Sequence, residues 1–389
     1  VGKAATSDIW ALVLDAADTT ALNLSTTSTN DLDTGAITGT DKLETITLTT
    51  AAHTGVLVVD TIVDGDSVTS LTATGVGGDI TTGALFATGT AEGLATVTLT
   101  ATEGSDISIG AVTADTTDAS STDDNNMTIT ASADGTATGG DVSSVSIAAI
   151  SNTDGSLALN FSGDSIVNST GTDAANSVTV TRSGSGATTI AAIDSTTTLT
   201  ATHTGSGAFE ITSFDAEGDV TIDSSGASGA LTVNSTTFTH NATITGGSGA
   251  DSLTMDTAAA SGKVHSIVGG GGNDTVVGSS GGETIRGGDG EDSLDGAAGN
   301  DNISGGAGND TFSFMTSGEL TKNDTIDGGA GTDTLNITTA AAILDSVLTN
   351  IEVVDLEITT GGFTVDAGDW SSLTKLTLGG DTDANTDTI

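Results

Sequence analysis

Hydrophobic and polar residues alternate along most of the chain. Leu43-Glu-Thr-Ile-Thr-Leu48 and Ser177-Val-Thr-Val-Thr181 are typical stretches, and Gly, Asp and Ser separate such stretches from one another. Alternation with a period of two places every second side chain on one face, which predicts half-buried β-strands. Thr, Val and Ile suit this pleated surface, whereas Gly and Asp suit the turns between strands. The pattern predicts an all-β protein.

The strands recur at a regular spacing. Similar units occupy residues 43–48, 68–73 and 94–99, and 142–147 is interpreted as the same unit further along the chain. A strand-containing repeat of about 20–30 residues is typical of a β-solenoid, in which each coil stacks on the preceding one. An array of β-sandwich domains with similar hairpins is the alternative. The solenoid is favoured because no series of Asn-Gly or Asp-Gly hairpin turns separates neighbouring strands.

Residues 246–336 follow a stricter repeat of nine, Gly-Gly-x-Gly-x-Asp-x-U-x, in which U is a large apolar residue. Five copies follow one another without a gap over residues 269–313, and outlying copies begin at Gly246 and Gly328. Each outlying copy starts 23 residues from its neighbour, which leaves room for a degenerate repeat and a five-residue insert. These degenerate repeats are expected at 260–268 and 319–327.

Each nonapeptide is expected to form a glycine-rich turn followed by a short strand with one inward-pointing apolar side chain. Two nonapeptides then complete one coil, so that each repeat stacks on the second one after it, about 4.8 Å away. The predicted inward residues are Leu253, Ile267, Val276, Ile285, Leu294, Ile303, Phe312, Ile326 and Leu335.

This stacking predicts two columns of side chains at the sixth position of the repeat. The odd repeats contribute Asp251, Asp274, Asp292, Asp310 and Asp333, and the even repeats contribute His265, Glu283, Asp301 and Asp324. Carboxylates about 5 Å apart repel each other by about 1 kcal/mol in water and more where screening is poor, so a cation between coils is expected. Carboxylate and carbonyl oxygens suit Ca²⁺ better than Zn²⁺.

We predict a well-filled calcium column on the odd side and a weaker start on the even side, where a histidine and a longer glutamate replace aspartate. The predicted calcium ligands are seven aspartates together with glycines of the turns: Asp251, Asp274, Asp292, Asp301, Asp310, Asp324, Asp333, Gly247, Gly249, Gly270, Gly272, Gly288, Gly290, Gly299, Gly306, Gly308, Gly329 and Gly331.

The nonapeptide pattern resembles the RTX (repeat-in-toxin) calcium-binding β-roll over residues 246–336. The resemblance implies export as an unfolded chain by a type I system, followed by folding outside the cell when calcium binds. The absence of Cys and Pro and the formal net charge of −45 fit this expectation. Calcium would then couple ligand binding to folding, as disulfides stabilise other secreted proteins.

The flanking Thr-rich and Gly-rich regions resemble RTX-type surface-layer (S-layer) proteins of Gram-negative bacteria. The residues that carry this resemblance are Glu44, Leu48 and Leu71 near one end and Glu352, Leu356 and Leu376 near the other. The resemblance implies β-solenoids that tile into a crystalline coat.

Composition excludes several other classes. Seven Lys and Arg residues against 52 Asp and Glu residues leave too few cations for nucleic-acid binding, and an anionic membrane surface would repel the chain. No apolar run approaches the about 18–20 residues of a membrane helix. Such an excess of charge is also typical of disordered chains, and disorder of the calcium-free chain stays an open alternative.

No catalytic constellation is apparent. The four histidines do not form a His-Glu-x-x-His zinc motif. Residues 278–282 fit Gly-x-Ser-x-Gly, but they lie in register within the nonapeptides, so Ser279 is interpreted as a turn residue. His203 and His240 are expected at the surface, and the chain is predicted not to be an enzyme. The acidic clusters at 64–66, 123–126 and 381–383 are weaker calcium candidates that are better explained as solvated turns.

The sequence therefore predicts an elongated parallel β-solenoid with an embedded RTX roll: scaffold over 1–236, roll over 237–336 and returning scaffold over 337–389, within a longer polypeptide. The hypothesis is a self-assembling S-layer protein at the bacterial cell surface whose folding and lattice assembly need Ca²⁺. Its expected partners are further copies of itself and outer-membrane polysaccharide, bound through a region outside these residues, with no nucleic acid and no membrane insertion. The alternatives are a segment of an RTX adhesin and the carrier portion of a secreted RTX enzyme.

Overall fold

The computed structural model describes parallel β-strands grouped into two compact units, residues 1–216 and 217–389. The described residues are 11–13, 19–26, 31–38, 43–51, 55–62, 68–86, 94–113, 126–134, 143–151, 155–163, 177–195, 197–234, 240–255, 263–316, 319–338, 347–357 and 371–379. The division into three segments that the sequence predicts, with boundaries at 236 and 336, stays a prediction.

The first unit contains twenty described strands: β1 (Ala11–Val13), β2 (Ala21–Thr26), β3 (Leu32–Asp33), β4 (Ala36–Thr38), β5 (Thr45–Thr50), β6 (Leu57–Val59), β7 (Ser70–Val76), β8 (Ile80–Thr82), β9 (Leu85–Phe86), β10 (Thr96–Thr102), β11 (Asp106–Thr113), β12 (Met127–Ala133), β13 (Ser144–Ser151), β14 (Leu157–Gly163), β15 (Ser177–Ser183), β16 (Thr188–Ile190), β17 (Ile193–Ser195), β18 (Thr198–His203), β19 (Phe209–Ile211) and β20 (Phe214–Ala216).

The second unit contains fifteen described strands: β21 (Val220–Asp223), β22 (Leu231–Asn234), β23 (Ala242–Thr245), β24 (Ser252–Thr254), β25 (Val264–Gly271), β26 (Thr275–Val277), β27 (Gly282–Asp289), β28 (Ser293–Asp295), β29 (Asn302–Ala307), β30 (Thr311–Phe314), β31 (Thr325–Ala330), β32 (Thr334–Ile337), β33 (Val347–Thr349), β34 (Val353–Glu357) and β35 (Lys375–Gly379).

The first unit is a parallel β-solenoid. One sheet runs in the order β2-β5-β7-β10-β12-β14-β15-β18, and a second runs β3-β6-β8-β11-β13. The predicted stacking of the units at 43, 68 and 94 is confirmed, because Ile46, Leu71 and Val97 are paired in register. Alternate side chains of these strands are buried and form the core.

The interpretation of residues 142–147 as a further copy of that unit is wrong. Ser144 to Ile147 belong to β13, which pairs with β11 in the other sheet through Val145 and Ile107. The strand that stacks on β10 is β12, where Ile129 pairs with Val97. Both sheets bury alternate residues, so the same apolar spacing fits either one, and only the lengths of the connections distinguish them.

The surface placement predicted for His203 is also wrong. This residue ends β18 with 1% of its surface exposed, in register with the fully buried Arg182 of β15. Its ring packs edge-on against Phe209 with centroids 5.6 Å apart. Burial, and then the positive charge of Arg182, lower the pKa of His203. Alternating strand patterns give little warning of polar residues at inward positions.

The second unit repeats the parallel architecture with shorter coils. One sheet runs β21-β23-β25-β27-β29-β31-β33 and the other runs β22-β24-β26-β28-β30-β32-β34-β35. The predicted stacking of each nonapeptide on the second one after it is confirmed: Ile267 pairs with Ile285, and Leu294 pairs with Phe312. All nine predicted inward residues have 0% of their surface exposed, so one apolar side chain per repeat makes the core.

Glycine allows these coils to approach closely at the turns. Gly288 has φ of +125°, and a Cβ placed there would lie 1.9 Å from the carbonyl oxygen of Gly270 in the preceding coil. An L side chain would be strained by the backbone conformation and would also clash with that carbonyl. Among the described residues, no helix is long and apolar enough to cross a membrane.

Candidate metal centre

The aspartates of the odd column lie at the N-terminal ends of strands in the sheet that runs from β22 to β35. Each of these aspartates directly precedes a strand, from Asp251 before β24 to Asp333 before β32. All five are buried, with at most 3% of the surface of any one exposed. An unpaired carboxylate in such surroundings is costly, so the environment of its two oxygens determines what the column can bind.

One oxygen of each carboxylate, Oδ1, accepts a backbone hydrogen bond from the preceding coil. The N–H of Leu231 donates to Asp251 at 2.7 Å, and the N–H of Asp251 donates to Asp274 at 2.8 Å. The same contact links Asp274 to Asp292, Asp292 to Asp310, and Asp310 to Asp333 at 2.8–2.9 Å. The column is therefore a continuous ladder in which each carboxylate caps the coil before it.

The second oxygen, Oδ2, has no hydrogen-bond partner within the described residues at four of the five positions, namely Asp274, Asp292, Asp310 and Asp333. Burial, and to a lesser extent the charges of Asp251 and Asp292, raise the pKa of Asp274 to about 7. Burial likewise raises the pKa of the other members of the column. Asp251 differs because its Oδ2 accepts the N–H of Gly247 at 2.8 Å.

The first glycine of each repeat borders the space beside this free oxygen. A Cβ placed on Gly287 would lie 2.2 Å from Asp292 Oδ2 and 2.7 Å from the carbonyl oxygen of Gly305 in the next coil. Gly269 and Gly305 have the same surroundings. An anionic oxygen and a backbone carbonyl oxygen thus face one small space that only glycine leaves open. This donor set fits Ca²⁺.

The even column is only partly of this kind. Asp301 Oδ1 accepts the N–H of Glu283 at 2.9 Å, and Asp324 Oδ1 accepts the N–H of Asp301 at 2.7 Å. Asp301 Oδ2 has no hydrogen-bond partner in the described part, whereas Asp324 Oδ2 accepts the N–H of Thr321. Burial, and then the charges of Glu283 and Asp324, raise the pKa of Asp301 above its ordinary value. Within the described residues, the even column therefore has one carboxylate oxygen without a hydrogen-bond partner, whereas the odd column has four.

At the start of the even column, Glu283 and His265 form hydrogen bonds with neighbouring protein groups. Ser279 Oγ donates to Glu283 Oε1 at 2.7 Å, and the N–H of Ser279 donates to Oε2 at 3.3 Å. His265 Nδ1 accepts the N–H of Ala242 at 3.1 Å, and its Nε2 lies 4.0 Å from Glu283 Oε1. The hydroxyl of Ser279 therefore points at a carboxylate rather than an imidazole, which is not the arrangement that activates a serine nucleophile.

Nowhere in the described ranges do three or more His, Cys, Asp or Glu side chains converge on one point. Ions in the roll would therefore be held by pairs of carboxylates supplemented by backbone carbonyls, in contrast to a zinc site of converging side chains. The acidic clusters at 64–66 and 381–383, and all of 123–126 except Asn126, lie outside the described residues.

Parallel coils joined by a column of buried, half-satisfied carboxylates define the second unit as a β-roll with the donor set of a calcium-binding protein. The RTX calcium-binding nonapeptide repeat family matches the chain in four copies, over residues 266–282, 277–312 and 320–336. The second unit thus carries RTX calcium-binding nonapeptide repeats, and proteins with such repeats are typically secreted. No curated protein and no solved structure matches the chain.

The structure brings the predicted aspartates together in the two expected columns. Eight of the eleven predicted glycines, such as Gly270 and Gly272, have positive φ, whereas Gly247, Gly249 and Gly299 do not. That these residues bind calcium stays a prediction. Sequence reasoning missed the first glycine of each repeat, whose carbonyl lies beside the free oxygen. Its presence at that position in every regular repeat was the available signal.

Proposed function

We propose that the chain is a non-enzymatic structural protein of an extracellular bacterial surface layer, exported by a type I system. In this proposal, Ca²⁺ folds the roll and allows copies of the chain to pack side by side. The observation that supports it most directly is the row of buried aspartate oxygens that have no hydrogen-bond partner in the described part of the chain, because folding such a row requires either protons or cations. The coat itself is inferred from the flanking solenoid and the acidic charge.

Calcium would act twice in such an assembly. Inside the roll it neutralises the aspartate columns, with the predicted seven aspartates and turn glycines as ligands. Between copies it reduces the repulsion of chains that each carry a formal net charge of −45, at distances within the Debye length of about 8–10 Å. The proposed partners are therefore further copies of the chain, and outer-membrane polysaccharide through a region outside these residues.

Electron microscopy of the purified chain with and without calcium tests the proposal. We expect two-dimensional sheets in Ca²⁺ and their loss on chelation. Mg²⁺ is the matched control, because it screens charge equally but prefers octahedral sites that retain water. Single rods in Ca²⁺ would contradict lattice formation and favour an adhesin segment. Sheets that persist in chelator would contradict the role of calcium.

A further inference from the structure

The odd column does not end with the last nonapeptide. The N–H of Asp333 donates to Glu352 Oε2 at 2.9 Å, just as the N–H of Asp310 donates to Asp333. Glu352 directly precedes β34, which pairs with β32 through Asp355 and Asn336. Glu352 therefore takes the place of the next aspartate in a coil that is not a nonapeptide and lies beyond the last residue matched by the RTX family.

Asp333 offers a free oxygen to this junction. Its side chain has 0% of its surface exposed, and its Oδ2 has no hydrogen-bond partner within the described residues. A Cβ placed on Gly328 would lie 2.6 Å from this oxygen and 2.0 Å from the carbonyl oxygen of Asn350. The space beside Gly328 is thus bordered in the same way as the space beside Gly305, one coil earlier.

Asn350 supplies this carbonyl through an unusual backbone conformation. Its φ of +53° lies in the left-handed region, which asparagine tolerates better than most residues. Its Nδ2 donates to Asp327 Oδ1 at 2.7 Å, which fixes the turn. Asn350 lies two positions before Glu352, whereas Gly328 lies five positions before Asp333, so this turn is three residues shorter than a nonapeptide turn. The glutamate side chain, which is longer than that of aspartate, still accepts the N–H of Asp333.

The junction also concentrates negative charge. The carboxylates of Asp310, Glu352 and Asp327 lie near the buried carboxylate of Asp333. Repulsion of this kind opposes folding unless a cation lies between the carboxylates.

We propose that Asp333, Glu352 and the backbone carbonyl of Asn350 form an additional Ca²⁺ site. This site joins the last nonapeptide to the flanking coil that contains β34. It differs from the predicted sites because one of its carboxylates comes from the scaffold type of repeat. The site does not depend on lattice assembly, so a failure to form sheets would leave it unaffected.

Glu352→Gln tests the site in the full chain, with Glu357→Gln as the control. Both changes remove one negative charge: Glu352 directly precedes β34, and Glu357 is the last residue of that strand. Glu357 is exposed and therefore serves as the control. Calcium bound per chain is measured by equilibrium dialysis over a range of free Ca²⁺. We expect Glu352→Gln to lose one equivalent, or to weaken one site at least about tenfold, and Glu357→Gln to match the unaltered chain.

Equal stoichiometry and affinity in Glu352→Gln and the unaltered chain would overturn the proposal. If Glu352→Gln fails to fold in calcium, anomalous scattering from crystals of the unaltered chain grown with Ca²⁺ gives the answer. A peak between Asp333 and Glu352 would support the site. Peaks beside Asp274, Asp292 and Asp310 with none beside Asp333 would exclude it while leaving the calcium-binding roll intact.

Discussion

The two units close their buried turns with different chemistry. In the first, Thr50 Oγ1 donates to the carbonyl of Gly78 at 2.5 Å and accepts the N–H of Val76 at 3.2 Å. In the second, one oxygen of the Asp292 carboxylate accepts the N–H of Asp274, and the other has no hydrogen-bond partner among the residues that the structure describes. A neutral hydroxyl completes the first kind of turn, whereas the second kind keeps a buried carboxylate that requires a cation or a proton.

In this comparison, the same parallel architecture carries neutral groups at the buried turns of one unit and carboxylates at those of the other. The buried polar groups described in the first unit are hydroxyls together with Arg182 and His203, and none is a carboxylate. In the second unit the buried groups include all seven aspartates predicted as ligands. Calcium dependence is therefore expected to be local to the second unit.

Removal of calcium should produce the largest difference between the units. Each calcium site contributes about 2.7 kcal/mol when free Ca²⁺ exceeds its Kd a hundredfold, so loss of several sites exceeds the stability of a typical domain. In chelator we expect hydrogen exchange to lose its protection in β25 to β32, whereas β5, β7 and β10 remain protected. Equal loss of protection in both units would show that the comparison is wrong.

Asp292→Asn should lower the free energy of unfolding of the second unit in calcium by about 3 kcal/mol, because the remaining carboxylates of the column lose a charge partner for the ion. The amide oxygen can still accept the N–H of Asp274. In chelator the same substitution should instead raise the free energy of unfolding, because the variant lacks the negative charge that repels Asp274 and Asp310. Denaturant titrations in both conditions measure this.

Asp106→Asn is the control for that experiment, because Asp106 is an exposed carboxylate of the first unit that accepts a hydrogen bond from Ser144 Oγ at 2.6 Å. We expect its effect to be small and the same with and without calcium. An Asp292→Asn variant that loses equal stability in both conditions would mean that the carboxylate acts only as a hydrogen-bond acceptor.

Gly287→Ala should weaken one calcium site by about tenfold or more, equivalent to about 1.4 kcal/mol. The added Cβ would occupy the space between Asp292 Oδ2 and the carbonyl of Gly305, with no contribution from a positive φ at this position. Gly271→Ala is the matched control, since the nearest atom to its Cβ would be 3.8 Å away. Calorimetric titration of both variants separates the effect of the site from that of glycine removal, and equal affinities would argue against ligands at this position.

Thr50→Val should have the smallest effect, a loss of about 1 kcal/mol from the first unit. The substitution removes a hydroxyl that makes two backbone hydrogen bonds, while the shape of the side chain is kept. Hydrogen exchange in β5 and β7 would report the loss, which should be equal with and without calcium. A calcium-dependent loss would indicate that ions also stabilise the first unit.

The strict nine-residue period made the roll predictable. It fixes the inward position of residues such as Ile285 and Phe312, and it places the aspartates in two columns. The period could not give the direction of each carboxylate, because the hydrogen bond between Asp292 Oδ1 and the N–H of Asp274 depends on turn geometry.

The irregular parts were less predictable for a physical reason. Val145 fits the apolar alternation of either sheet, so its pairing with Ile107 depends on connection length rather than on pattern. Glu352 lies 19 residues after Asp333, which is not a multiple of the repeat, and only the register of β34 on β32 brings them together. His203 was misplaced because a polar residue at a strand end gives no sign of burial.

The direction of the aspartate ladder has a consequence for how such a gene can change. Within the gapless tandem, the aspartate N–H of one coil donates to the aspartate carboxylate 18 residues later, as Asp274 donates to Asp292 and Asp292 to Asp310. Tandem duplication or deletion of one such pair of nonapeptides leaves each donor with an acceptor, while Leu231 and Glu352 remain the two ends. The number of coils in the roll can thus change, in evolution or by design, while the hydrogen bonds at its two ends stay the same.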